Sequence, residues 1–249
     1  MTSTADPGRP TLEIELGRAR IRLHRPDKRN RIEPLDLEAI LEHTASIVSD
    51  ASIRSVTIEA TGSSWCSGYH LGALAAGESP RHGFAEACDA VADLRVPTIA
   101  VLGGSVHGGG TDLAMSCDFR IAADQIVLAM PAARIGLQYY ATGLQRFVDR
   151  IGPAATKRIF LTGETISTAE LLRIGYLTEV VSSTELEARI DELSAAIAQL
   201  APGAVSATKA AIDQLAGPDP DLAAVQAGHL ASLRSNEHRD AMASLRKRR

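Results

Sequence analysis

The sequence predicts an α/β fold covered by a helical C-terminal layer. Two observations carry that prediction. Up to about residue 150, short apolar or alternating runs that read as strands are separated by stretches with helical spacing. Beyond that point the pattern is helical, interrupted only by the short apolar run "LTEVV". The chain has 249 residues, 45% of them hydrophobic and 22% charged, enough for one large α/β domain or two small ones.

The elements follow in order. Residues 1–10 are polar and read as a frayed end. "TLEIELGRARIRLH" (11–24) alternates apolar and polar residues around Gly17, the pattern of a β-hairpin. "RPDKRNRI" (25–32) is a charged loop. Pro34 then opens a helix through about Ser49, with Leu37, Ile40, Leu41, Ala45 and Val48 on one face. "SVTIEA" (55–60) is a strand and "TGSSWCSG" (61–68) a turn. A helix covers roughly 82–94, and "TIAVLGG" after Pro97 is a buried strand ending at paired glycines. A short helix around 113–117 precedes strands near 119–122 and 126–129. Helices then read at 153–161, 167–174, 184–200, 203–215 and 221–246.

Composition excludes several classes. Twenty-six Lys and Arg against 30 Asp and Glu leave a net charge of −4, without the basic footprint expected of a nucleic-acid binder. Cys66, Cys88 and Cys117 are odd in number, widely spaced and lack a CxxC, so neither a disulfide framework nor a zinc site is indicated. No apolar run is long enough to span a bilayer, and "MTSTADPGRP" does not read as a signal peptide. The expectation is a cytoplasmic enzyme with no membrane or nucleic-acid partner and no metal.

"SVHGGGTDLAMSCDFRIAAD" (105–124) is the most informative stretch. Three successive glycines cost about 0.5–1 kcal/mol each relative to alanine within a regular element, so a reason is needed. Gly104, Gly109 and Thr111 match a phosphate loop, but Gly110 occupies its lysine position. A tight strand-to-helix turn is a second reading. In the third, a bare backbone N–H at the start of a helix approaches a reacting oxygen and stabilises negative charge developing on it. That reading asks for a second donor, and "SSWCSGYHLGAL" (63–74) offers the N–H of Tyr69 after a bend at Gly68.

With both corners in view, the chain resembles a family. "WCSGYHL" is similar to the crotonase (enoyl-CoA hydratase/isomerase) pattern F-[SA]-A-G-x-D-[LI], and "GSVHGGGTDLAMSCDFRIAAD" to its G-x-[AV]-x-G-G-G-x-E-L-A-x-x-C-D-x-R-I-A. "LHRPDKRNRI", "MPAARIGL" and "LTGETISTAELLRIGYLTEVV" resemble further family segments in the right order, from about residue 12 to the end. The resemblance implies a ClpP/crotonase-like β-spiral core over 1–190 and a helical trimerisation region over 191–249. It implies an acyl-CoA substrate, a homotrimer or homohexamer, and no cofactor apart from the CoA carried by the substrate. The thioester oxygen would sit between the N–H groups of Tyr69 and Gly109, stabilising an enolate. Gly68, His70, Leu71, His107, Gly108, Ala132 and Tyr139 would line the substrate, and Lys28, Arg29 and Lys247 would reach the CoA phosphates.

Departures from the family pattern bear on the reaction. Hydratases of the family use two glutamates. The first is Asp112 here, which keeps the charge and takes the catalytic proton-carrier position, with backbone capping as its structural alternative. The second is Ala132, which cannot accept a proton; losing one acid–base partner, worth about 10²–10⁴-fold, argues against efficient two-carboxylate hydration. "GSVHGG" and "IGLQYYATG" also resemble methylmalonyl-CoA decarboxylase, a family member. An acyl-CoA decarboxylase or hydrolase is therefore the enzymatic alternative, and a non-catalytic acyl-CoA binder the alternative of another class. Tyr139 and Tyr140 are adjacent, and the expectation is that at most one faces the substrate.

Overall fold

The computed structural model describes residues 8–76, 82–217 and 219–247. β1 (Thr11–Glu15) and β2 (Arg18–Leu23) form the expected hairpin. Leu16 and Gly17 both adopt positive φ, 49° and 80°, as a two-residue turn with the twist of a hairpin requires. β2 alternates cleanly, with Ala19, Ile21 and Leu23 buried and three arginines on the other face.

α1 (Pro34–Ser49) begins with proline at its first position, and the Asp36 carboxylate accepts from the Glu33 N–H at 2.9 Å. Of the face read from the sequence, Leu37 and Ile40 are buried, but the stripe continues through Thr44 and Ile47 rather than through Leu41, Ala45 and Val48. Val48 is 69% exposed. The two courses diverge after Ile40 along adjacent lines of the helix, and only packing decides which of them is covered.

The remaining strands give the architecture its character. β3 (Ser55–Ala60), β5 (Thr98–Leu102) and β7 (Phe119–Ala123) lie parallel in a six-stranded sheet of order β1-β2-β3-β5-β7-β10. Each is followed by a short strand: β4 (Ser64–Cys66), β6 (Ser105–His107) and β8 (Val127–Ala129). These three pair in parallel in a second sheet of order β4-β6-β8-β9. The chain thus winds three times from the large sheet to the small one, which is a β-spiral of the crotonase fold. β4 corrects the sequence reading, which placed a turn over 61–68, and β6 is a strand the sequence reading did not assign; strands of three residues are too short to show a period of two.

Helices join the windings. α2 (Leu71–Ala75) and α3 (Phe84–Ala92) lie between β4 and β5, and α4 (Gly109–Met115) between β6 and β7. A 3-10 turn over Ala132–Ile135 leads from β8 to α5 (Ala141–Thr162). α5 starts twelve residues before the helix read at 153–161 and breaks at Gly152, φ 76°, just before Pro153. β9 (Ile166–Ser167), α6 (Thr168–Arg173) and β10 (Glu179–Val181) complete the core.

α7 (Leu186–Ala198) buries Leu186, Ile190 and Ile197. α8 (Pro202–Ala216) and α9 (Leu222–Ser232) bury no residue, and α10 (Asn236–Lys247) closes the chain. Ser235 separates two helices where the sequence reads one over 221–246: its hydroxyl accepts from the His238 N–H at 3.0 Å. α8 is pinned to the core by Lys209, whose ammonium donates to Asp118 at 2.6 Å. The same Asp118 oxygen accepts from the Thr98 N–H at 2.8 Å.

Candidate active site

The site is set by the C-terminal edge of the small sheet. β4 and β6 are parallel neighbours, so the corners that follow them emerge side by side. β8 lies on the other side of β6, and the Gly108 N–H donates to Ala129 at 3.0 Å. Three strand ends, each turning into a helix, therefore converge.

The first corner is Ser67–Gly68–Tyr69. Gly68 has φ 88°, a left-handed value costly for any other residue. A Cβ built on it would stand 2.8 Å from the Gly109 nitrogen and 3.0 Å from the His107 oxygen. The two corners are therefore packed too closely for any side chain at Gly68. The Gly68 carbonyl accepts from the Ile32 N–H at 2.8 Å, and the His70 N–H donates to Ile32 at 3.0 Å. Backbone groups alternate in direction along such a bridge, so the Tyr69 N–H points away from Ile32.

The second corner answers why three glycines stand in a row. Gly108 has φ 52°. Gly109, first residue of α4, has an N–H without a helical partner by position. A Cβ there would come within 2.7 Å of the Phe84 ring. At Gly110 it would meet Cys66 at 2.8 Å. Conformation, an aromatic neighbour and a packed strand thus account for one glycine each.

Asp112, one turn on, is fully enclosed. Its Oδ1 accepts from Arg146 Nε at 2.9 Å. Its Oδ2 accepts from the Tyr140 hydroxyl and, at 3.4 Å, from Tyr139. Arg146 also donates to Asp89 at 2.9 Å. Burial works against the charge on Arg146, but the Asp112 carboxylate and the bonds to both aspartates outweigh it, raising the guanidinium pKa above its ordinary value. Burial, reinforced by nearby Cys88 and Asp112, pushes the Tyr140 hydroxyl far above its usual range, and Tyr139 moves the same way. The tyrosines are stacked, ring centroids 4.3 Å apart, and both hydroxyls donate to Asp112. Gly143 makes this possible: a Cβ there would come within 2.6 Å of Tyr139 and 2.7 Å of Asp112.

The other residues marked in the sequence fall as follows. Ala132 is 6% exposed, at the start of the 3-10 turn after β8. His70 is drawn to Glu33, Nδ1 to Oε2 2.7 Å. His107 is half-buried; burial, with the charge of Arg29 second, lowers its imidazole pKa. Leu71 is exposed. Lys28 and Arg29 are exposed in the loop after β2. The side chain of Lys247 lies outside the described residues.

Sequence reasoning missed Arg146, Phe84 and Asn30. Asn30 is buried and donates to Thr61 and Ser64, both at 2.7 Å, fastening the Lys28–Arg29 loop beside β4. A buried carboxylate at Asp112 calls for a cation, but nothing local announces that it stands 34 residues away. Two large clefts lie elsewhere. One of about 670 Å³ is lined by α3, α5 and α8, with Arg146 in its wall, and one of about 730 Å³ lies beneath α8. Neither includes Tyr69, Gly109 or Ala132. The converging strand ends hold the backbone N–H groups of Tyr69 and Gly109, and neither cleft reaches them.

Fold and site together define a crotonase-fold protein with paired backbone corners. The enoyl-CoA hydratase/isomerase family model matches residues 13–245, and the chain belongs to that family of enzymes. It is 35% identical to the carnitinyl-CoA dehydratase of Proteus mirabilis over 193 residues, 75% of this chain and 73% of that one. It is also 35% identical to the carnitinyl-CoA dehydratase of Salmonella arizonae, over 80% of this chain and 76% of that one. Among solved structures, Pseudomonas aeruginosa DspI is 26% identical with a TM-score of 0.89, covering 100% of this chain and 97% of that one. An enoyl-CoA hydratase/carnithine racemase from Magnetospirillum magneticum is 25% identical with a TM-score of 0.89, covering 99% and 94%.

Proposed function

We propose that this enzyme acts on an acyl-CoA thioester by stabilising its enolate between the Tyr69 and Gly109 N–H groups, in chemistry that does not draw on a pair of enzyme carboxylates. The close approach of the two corners carries the reading, since even a Cβ added at Gly68 would stand 2.8 Å from the Gly109 nitrogen. Fixed backbone donors stabilise developing charge without reorganising, typically by a factor of 10²–10³ per donor. Asp112 already has Arg146, Tyr139 and Tyr140 on its oxygens, and Ala132 has no carboxylate. In this reading Asp112 holds the corner in place from behind.

Loss of a substrate carboxylate as carbon dioxide would generate such an enolate without two enzyme acids, and addition of water to the thioester carbonyl would place a tetrahedral oxyanion between the same donors before CoA leaves as the thiolate, which favours decarboxylation or hydrolysis. Dehydration is the second reading, supported by the carnitinyl-CoA dehydratase relatives. The exposed Lys28 and Arg29 beside β4 fit the phosphates of CoA, and no group beyond CoA is invoked. The exposed apolar residues Ile212, Leu215, Leu222 and Leu230 of α8 and α9 favour packing against further copies, as trimer or hexamer.

A panel of acyl-CoA, enoyl-CoA and carboxyacyl-CoA thioesters read by mass spectrometry tests the proposal. Loss of carbon dioxide or release of free CoA supports carboxylate-independent chemistry. Gain or loss of water as the dominant reaction selects the dehydratase reading. Binding without turnover of any thioester reduces the protein to an acyl-CoA binder.

A further inference from the structure

The Phe84 ring occupies a telling position. It is the first residue of α3 and lies half-buried across the open side of the Gly109 corner. A Cβ on Gly109 would come within 2.7 Å of its Cζ and 3.1 Å of both Cε atoms, so the tip of the ring points at the Gly109 Cα. The Tyr69 ring meets it edge-on, centroids 6.2 Å apart and planes at 78°. Two aromatic side chains, one from each corner's neighbourhood, thus meet beside the Gly109 Cα.

From this geometry we infer that Phe84, braced by Tyr69, is the residue that limits the length of the acyl group. The inference rests on the enolate-stabilising reading. A thioester oxygen accepting from the Gly109 N–H stands about 3 Å from that nitrogen, and the acyl carbons follow within one or two bonds. A ring in contact with the Gly109 Cα meets an acyl chain within its first few carbons. A short acyl group would pack against the ring edge, whereas a long unbranched one would have to displace it. Tyr69 explains why the ring holds its place: an edge-to-face pair is favourable and leaves Phe84 little freedom to swing aside. Gly109 is then small for two reasons, since a side chain there would strike Phe84 as well as crowd the substrate.

Calorimetric titration of the intact protein with butyryl-CoA and decanoyl-CoA tests this without requiring the reaction to be known. The wild-type protein is expected to prefer butyryl-CoA, and Phe84→Ala to shift the ratio of dissociation constants toward decanoyl-CoA by at least about tenfold, the scale of a few methylenes entering an apolar pocket. Phe84→Leu should move the ratio the same way by less, and it guards against a folding defect in the alanine variant; circular dichroism checks both. A ratio unchanged in both folded variants overturns the assignment of Phe84 while leaving the acyl-CoA reading intact. Failure of the wild-type protein to bind either thioester overturns the acyl-CoA reading, and the inference with it.

Discussion

Two regions flank the first turn of α4, and they are built in opposite ways. On one side, the Gly68–Tyr69 and Gly108–Gly109 corners present main chain and exclude side chains: a Cβ at Gly68 would strike the Gly109 nitrogen. On the other side, Asp112, Tyr139, Tyr140, Arg146 and Asp89 form a network of side chains in which both oxygens of Asp112 are occupied. On the proposed function, the contrast separates backbone donors that meet a substrate from side chains that hold the frame. A charged residue at a family catalytic position is not thereby a proton carrier; here its hydrogen-bonding capacity is directed into the protein.

The largest expected effect falls on the network. Asp112→Asn leaves Arg146 buried with only Asp89 as a counter-charge. Breaking a buried ion pair by removing one partner costs about 3–5 kcal/mol, and the surviving Asp89 contact places this variant toward the lower end. Urea denaturation should show that loss, and Asp112→Asn with Arg146→Gln together should cost less than the sum of the two. A variant as stable as the parent but more than a hundredfold slower would return Asp112 to the chemistry and erase the contrast.

The next effect falls on the corner. Proline is tolerated at the first position of a helix, so Gly109→Pro removes the N–H with little change to the backbone. Combined with Phe84→Ala, which clears the ring, it should lower turnover by about 10²–10³ relative to Phe84→Ala alone. A fully active double variant removes Gly109 from the mechanism.

Ala132→Glu should raise hydration of crotonyl-CoA by about tenfold. That is below the 10²–10⁴ of a well-placed acid–base group, because the site is 6% exposed and glutamate must make room. Efficient hydration by the parent protein, at about 10 s⁻¹ or more, would contradict the reading of Ala132.

The smallest effect concerns pH. The imidazole of His107 holds its proton less readily in the folded protein, through burial and then the charge of Arg29. Its contribution to stability is present above the ordinary histidine value of 6.5 and is lost as pH falls through the folded value. Melting temperatures of His107→Gln should therefore fall less steeply than those of the parent below about pH 6.5. Parallel profiles would mean that the imidazole is not perturbed by its surroundings.

Much of the frame was legible in the chain. The hairpin around Gly17, the strands at 55–60 and 98–102 and the helix after Pro34 follow from alternation, apolar runs and a helix-start proline, all local signals. So does the pair of glycine corners, because close backbone approach demands glycine wherever it occurs. β4 and β6 were not legible, since strands this short owe their existence to their neighbours, although β8 was read at 126–129. The same holds for the second half of the buried stripe of α1, where Thr44 and Ile47 rather than Ala45 and Val48 face inward.

What the sequence determined by itself was the family, the α/β order of elements and the identity of the residues at the site: glycine at 68 and 108–110, aspartate at 112, alanine at 132. What only the tertiary structure decided was which way each of them faces. Asp112 lies three residues from Gly109 in the chain, yet the one is enclosed by residues 27 to 34 positions away while the other lies under a ring from α3. Contacts of that range depend on how strands β4, β6 and β8 align and where α3 and α5 settle against them. They come from the packing of elements, which no spacing within a single element encodes.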